Sequence, residues 1–384
     1  MLKRYIPLVI ALIVIVGTIR YLEKQKPQRV SVESNPLARS ESSPVPAISD
    51  APAPQDRTAL LKQKAAIFSS GQELAGIQGY INTEPFKLAD LVGKKVILVD
   101  FWTYSCINCL RTTPYLNAWY EKYKDKGFVI VGVHTPEFEF EKNYDNVAKA
   151  VKDFGIRYPV ALDNDYATWN AYRNSYWPRE YLIDIDGYIV HDKIGEGDYD
   201  GTERAIQKAL EERRAVLGVN ESIDAGIVAP KDVIPMDSSR IRSPEIYFGA
   251  DRNQNLGNGT KGTTGTQTLS VPRVIDSSVL YLDGTWKFEG ESVQSISNTA
   301  KIVLKYTAKN VYFVGSSEQG VVIKIMRDGM LLGLESGSDV DKDGNALIKD
   351  NRLYKLIEGF DYGEHTIEIE VTSPGLQAFT FTFG

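Results

Sequence analysis

Cys106 and Cys109 are the only cysteines in the 384-residue chain, and two residues separate them. Upstream, Val96-Ile97-Leu98-Val99 is an apolar, mostly β-branched run that reads as a buried strand. Downstream, Leu110, Leu116 and Tyr120 recur near one helical face. The pair therefore sits where a strand hands over to a helix, with Cys106 at or beside the helix N-terminus. A thiolate attacks disulfides, and the unpaired N–H groups of a helix start favour negative charge there. Cys106 is the attacking candidate. Cys109, one turn on and more buried, is the resolving one. Asp100 ends the apolar strand, where a carboxylate is expensive to bury. Desolvation should raise its pKa and suit it to take the Cys109 proton.

Competing readings of the cysteines are weaker. A structural disulfide closing so short a loop would restrain the unfolded chain little. Half a zinc site lacks its other half, because His134, His191 and His365 are scattered without ligand spacing. No metal is expected. The net charge of −6 gives no electrostatic case for nucleic acid.

The elements that must position these residues follow from pattern. Residues 71–215 alternate strand and helix: strands at 95–101, 128–134 and 158–162, and a hairpin of 179–184 and 188–194 across Asp186-Gly187. Helices are expected at 106–124, with a kink at Pro114, then at 143–154, 167–172 and 201–214. This is an α/β domain with a mixed sheet flanked by helices, assigned to 58–215. From about 241 to 384 the texture changes to short alternating runs such as Val321-Val-Ile-Lys-Ile325, separated by turn signals such as Asp328-Gly and Asp343-Gly. That predicts an all-β sandwich or jelly roll, with a long loop at 249–267. Trp286, Tyr281, Tyr247 and Tyr354 are candidates for a glycan-stacking face there, as in a carbohydrate-binding module. Residues 216–240 read as a linker, so the β domain is expected to fold alone and to be dispensable for disulfide reduction.

Residues 1–22 carry an apolar run from Tyr5 to Ile19 behind Lys3 and Arg4. It is expected to be an uncleaved signal anchor, holding the catalytic part on the extracytoplasmic side of a membrane; a cleaved signal would instead give a secreted protein. Residues 23–57, punctuated by six prolines, are expected to be a flexible linker.

The wording of the motif carries a family resemblance. Asp100-Phe-Trp102, then C-x-x-C, then Pro114 five residues after the second cysteine, resembles the thioredoxin-like family. Trp102-Thr-Tyr-Ser-Cys-Ile-Asn-Cys109 is similar, more narrowly, to the DipZ branch of its TlpA-like members. The similarity continues at Gly132–Phe138, Tyr158–Asn164, Tyr176-Trp-Pro178 and Gly195-Glu-Gly197, and again at the terminal Phe379–Gly384. The resemblance implies a cis-proline at Pro178 facing the cysteines. It implies a redox-active Cys106–Cys109 disulfide with no other cofactor. It also implies protein or small-molecule disulfides as substrates, and a membrane electron donor of the CcdA or DsbD type that would make the protein a reductant. Trp102, Trp177, His134 and Glu137 are secondary candidates for substrate contact. Two alternatives stay open: a thiol peroxidase, because Thr103-Tyr-Ser-Cys106 has the Thr-x-x-Cys spacing, and a surface glycan-binding protein that uses the thioredoxin-like part as scaffold.

Overall fold

The computed structural model describes residues 54–231 and 233–384. The expected signal anchor and nearly all of the Pro-rich linker lie outside these residues. Helix α1, Pro54–Ile67, starts inside the stretch expected to be linker. It is held by charge. The buried Lys64 ammonium contacts Asp184 (2.6 Å), Asp186 (2.9 Å) and Glu212, and Arg57 pairs with Asp186.

The first sheet has six strands: β1 Gly79–Ile81, β2 Val96–Trp102, β3 Phe128–His134, β4 Val160–Leu162, β5 Arg179–Ile183 and β6 Ile189–Ile194. Their order is β1-β4-β3-β2-β5-β6. The β2–β3 and β3–β4 pairs are parallel, and β1, β5 and β6 run antiparallel to their neighbours. The helices are α2 Ile107–Tyr123, α3 Tyr144–Asp153, α4 Ala167–Ala171 and α5 Tyr199–Leu217. Strand β2 is buried along its whole length, as its apolar run requires.

Alternation along β2 divides its side chains between two cores. Val96, Leu98 and Trp102 pack with Leu116, Trp119 and Tyr123 of α2, Val147 and Val151 of α3, and Ile206 and Leu210 of α5. Ile97, Val99 and Phe101 pack with Leu88, Trp169 and Tyr172 on the other side. Asp100 has the parity of Leu98 and Trp102, so it points toward α2. Helix α2 runs through Pro114; the hydroxyls of Thr112 and Thr113 donate to the carbonyls of Asn108 and Cys109, each at 2.9 Å.

The C-terminal part is all-β, running from β7 Ile246–Tyr247 to β16 Gln377–Phe383. Its ten strands share one continuous hydrogen-bonded sheet. Two long strands organise it, β11 Ala300–Ser316 and β15 Arg352–Val371, paired antiparallel with a register shift between Ala308 and Asn310. The first half of β11 also pairs with β9 Leu280–Phe288, and its second half with β16. The sheet thereby closes around a single apolar core. The 249–267 loop is shorter than expected, since β8 Gly265–Leu269 pairs with β9. Trp286, Tyr281 and Tyr354 are buried, and Tyr247 is half-buried, its hydroxyl donating to Glu137. These four rings do not form the exposed sugar-stacking face expected of them: Trp286 and Tyr354 lie in the apolar core, and Tyr281 is covered on the opposite face by Gly257 and by Asp276, whose N–H its hydroxyl accepts.

The expected linker is not a loose tether. Among the described residues between α5 and β7 there is no regular element, yet the chain is pinned to the first part. Val228 N–H donates to Glu203 Oε2 at 2.8 Å, and Gly226 C=O accepts from Gln207 Nε2 at 2.9 Å. Ile223 and Val228 pack on the α/β core. A further apolar cluster spans both parts: Ile107, Phe138, Tyr312, Val314, Leu353 and Phe379, with Leu110, Phe140, Ile234 and Tyr247 against it. All described residues fall in one compact unit.

Candidate active site

Cys106 is the N-cap of α2, and its sulfur accepts the Cys109 N–H at 3.3 Å. It is partly exposed, whereas Cys109 is 2% exposed. Both are free thiols here. Burial pushes the Cys109 thiol well above its ordinary range, and the neighbouring Cys106 and Asp100 add to this. One thiol thus faces solvent at a helix start, and the other stays protonated beneath it until a base removes its proton.

Asp100 has the parity of Leu98 and Trp102, which share a core with Cys109, and is 1% exposed. Burial raises its carboxyl well above the usual range, and the charge of Glu180 raises it further. Glu180 is the direct cross-strand partner of Asp100. It is also buried, and desolvation pushes it up to about 8, against the lowering effect of Lys193. Gly132 is the partner of Asp100 on the other side. A Cβ on Gly132 would stand 2.9 Å from Trp102 Nε1 and 3.2 Å from the Tyr158 ring, so only glycine leaves room for both rings. Asp100 Oδ1, Glu180 Oε2, Trp102 Nε1 and the Tyr158 hydroxyl are all buried without a protein hydrogen-bond partner.

The loop before Cys106 is held by a residue that sequence reasoning missed. The buried Glu141 carboxylate accepts from Ser105 Oγ (2.6 Å), Ser105 N–H (3.2 Å), Glu137 N–H (2.6 Å) and Phe138 N–H (3.0 Å). Burial raises it to about 7, partly offset by the Ser105 and Thr103 hydrogen bonds.

The secondary candidates separate. Pro178 is buried and its peptide bond to Trp177 is cis. Its carbonyl accepts from Gly195 N–H at 2.9 Å, which joins it to the Gly195–Gly197 loop. Trp177 stays partly exposed, with its indole donating to Thr135 C=O at 3.0 Å and packed on Trp169. Trp102 and His134 were expected to meet substrate, but both are core residues at 2% and 0% exposure. His134 packs against Tyr104 and Trp102, and burial lowers its pKa to about 3, so it is neutral. The chain after His134 stays buried through Thr135 and Pro136, and Glu137 is the first residue there to reach partial exposure. Glu137 faces the β part: it accepts from Tyr247 and from Arg252, each at 2.8 Å.

The β part borders the redox motif directly. Ile107, the residue after Cys106, is 1% exposed because Tyr312, Phe379 and their neighbours cover it. Arg111 Nη2 donates to Phe383 C=O at 3.1 Å while its Nη1 pairs with Glu196 at 3.0 Å. A groove of about 760 Å³ runs from Ile107 and Asn108 past Tyr199 and Glu196 to Met236 and Phe383. Asp184, Asp186 and Glu212 are the one carboxylate group among the described residues with metal-like spacing, and the Lys64 ammonium is bound to all three.

Residues 71–210 match the Redoxin family, and residues 243–384 match the family described as "Thioredoxin like C-terminal domain". Protein DipZ of Mycobacterium tuberculosis is 39% identical over 316 residues, 81% of this chain. The chain spans 42% of the length of that relative. The thiol-disulfide oxidoreductase ResA of Bacillus cereus is 37% identical over 123 residues, 32% of this chain and 67% of its own. Among solved structures, the thioredoxin domain of a thiol-disulfide oxidoreductase from Bacteroides vulgatus is 30% identical, with a TM-score of 0.30 over 36% of this chain and 96% of its own. The chain belongs to the thioredoxin-like family of thiol-disulfide oxidoreductases.

Proposed function

We propose that this protein is a reductant that transfers two electrons from the Cys106–Cys109 dithiol to disulfides of proteins or small molecules. The observation that carries the reading is the pairing of an N-cap thiol with a buried thiol on whose proton a buried carboxyl, Asp100, acts. Cys106 thiolate attacks one sulfur of the substrate disulfide, forming a mixed disulfide and releasing the first substrate thiolate. Asp100 takes the proton of Cys109. The Cys109 thiolate attacks Cys106 Sγ, the Cys106–substrate bond breaks, and the second substrate thiolate leaves and is protonated by solvent. Pro178 and Trp177 are the residues that would receive an extended substrate beside Cys106, and the groove past Ile107 extends that surface toward the β part.

The same reading places the chain at a membrane through residues 1–22, on the extracytoplasmic side, with a CcdA- or DsbD-type protein returning electrons to the oxidised pair. A glycan ligand of the β part would have to use a face other than Trp286, Tyr281 and Tyr354. Insulin reduction by the wild type, lost in Cys106→Ser, tests the activity. A redox titration tests the direction: a potential of about −270 mV fits a reductant, and about −120 mV would make it an oxidant. Peroxide consumption faster than disulfide reduction would favour the peroxidase alternative.

A further inference from the structure

Four neighbouring strands place a row of directly paired residues across the sheet: Gly132 on β3, Asp100 on β2, Glu180 on β5 and Lys193 on β6. Directly paired residues of neighbouring strands share a face of the sheet. The row lies on the α2 side, so it leads from beneath Cys109 to the sheet edge. Its two carboxyls are both buried, and each keeps one oxygen without a protein partner. Lys193 ends the row half-buried, its ammonium donating to the carbonyls of Ile194 (3.0 Å), Gly195 (3.3 Å) and Glu196 (3.0 Å), in the loop that borders the groove.

We propose that Glu180 is the relay partner of Asp100, passing the proton that Cys109 gives up from the buried base to solvent at the Lys193 edge. The proposal rests on the exchange chemistry above and adds the fate of the proton. Two adjacent buried carboxyls cannot both ionise easily, so they titrate as a pair that holds one proton and one charge. When Asp100 accepts the Cys109 proton the pair becomes neutral. Glu180 then releases its own proton at the Lys193 edge, and transfer from Asp100 to Glu180 restores the base. The groups that face the pair are Cys109 of α2, Tyr158 before β4, Lys193 of β6 and Tyr199 of α5. None of the others is an ordinary acid of the carboxyl range, which leaves Glu180 as the exit. Glu180 touches no reacting sulfur; it acts through Asp100.

The test uses the full chain, reduced, mixed rapidly with dithiobis(nitrobenzoate). Attack by Cys106 releases one thionitrobenzoate, and resolution by Cys109 releases the second. Glu180→Gln should leave the first release unchanged and slow the second about tenfold. It should also move the pH limb of the second release lower, because Asp100 loses its like-charged neighbour. Lys193→Met, at a half-buried edge position, should move that limb higher by removing the cation. An unchanged rate and pH profile of the second release in Glu180→Gln, with Asp100→Asn slowed, overturns the relay alone. Should Glu180→Gln not fold, an unmoved limb in Lys193→Met overturns it. If Asp100→Asn leaves the second release untouched, the base assignment falls, and the relay with it.

Discussion

The two thiols differ first in access. Cys106 is partly exposed at the start of α2, and Cys109 is 2% exposed with its proton held by burial. Cys106 should therefore be alkylated at least about tenfold faster than Cys109 in the reduced protein at neutral pH. Peptide mass mapping over time checks this, and equal rates would remove the assignment. Asp100 carries a sharper expectation, because its two readings differ in sign. A carboxyl raised by burial binds a proton in the folded chain that the unfolded chain, near about 3.9, releases. Its contribution to stability is full below the unfolded value and is lost as pH rises toward the raised folded one. Asp100→Asn should thus change the denaturation midpoint little near pH 3 and raise it at pH 7, while slowing resolution roughly tenfold to a hundredfold. A variant destabilised at pH 7 with normal resolution would show Asp100 to be structural. The sequence made Asp100 legible because it interrupts a run of Val, Ile and Leu. Glu180 carried the same signal, since it shares parity with the core residue Leu182, but it follows Arg179 at the start of the strand, where a charged pair reads as a polar strand end.

At the scale of elements, the turn that delivers Cys106 depends on one side chain from the next loop but one. Glu141 gathers the N–H groups of Ser105, Glu137 and Phe138, all otherwise without an acceptor in a buried place. Glu141→Ala leaves these donors unmade, at about 1–3 kcal/mol for the loss. Glu141→Gln keeps one acceptor oxygen and should recover part of it. Urea midpoints of the two variants check the order, and equal midpoints for alanine and wild type would deny the turn this support. No sequence pattern announces such a clamp, because its parts lie 36 residues apart and meet only after β2 and β3 have paired. The strands and helices themselves were legible from periodicity. Their ends were less so: α1 begins inside the stretch expected to be linker, and α5 runs from Tyr199 to Leu217 where a helix was expected over 201–214. Linker composition was the least reliable signal of all. Residues 216–240 look like a spacer because their apolar residues follow neither a strand nor a helix period, yet Ile223, Val228 and Ile234 reach apolar surface on the way.

At the scale of the molecule, the β part and the redox motif share a core, and that changes what truncation should do. Besides the hydrogen bonds of Arg111 and Tyr247, an ion pair and an apolar cluster cross the boundary. The Glu137–Arg252 pair is partly exposed, and pairs of this sort contribute about 0–1 kcal/mol. Phe379 is 6% exposed, with its ring edge-on to Phe138 at 5.2 Å and to Phe140 at 4.8 Å. Removing a buried phenylalanine side chain typically costs about 3–5 kcal/mol. The apolar cluster therefore dominates, and the ion pair orients the parts more than it binds them. Phe379→Ala should lower the unfolding midpoint far more than Arg252→Ala does. A chain ending near residue 215, which the sequence pattern suggested would be self-sufficient, loses the cover over Ile107, Leu110, Phe138 and Phe140. It should melt at a lower temperature than the α/β part of the full chain and bind an apolar dye. Because Ile107 adjoins Cys106, it should also alkylate at Cys106 with altered kinetics. If instead the truncated chain keeps the midpoint of the full chain, binds no dye and reduces insulin at the same rate, the shared core stabilises neither part, and the β part serves the redox site only as a neighbour.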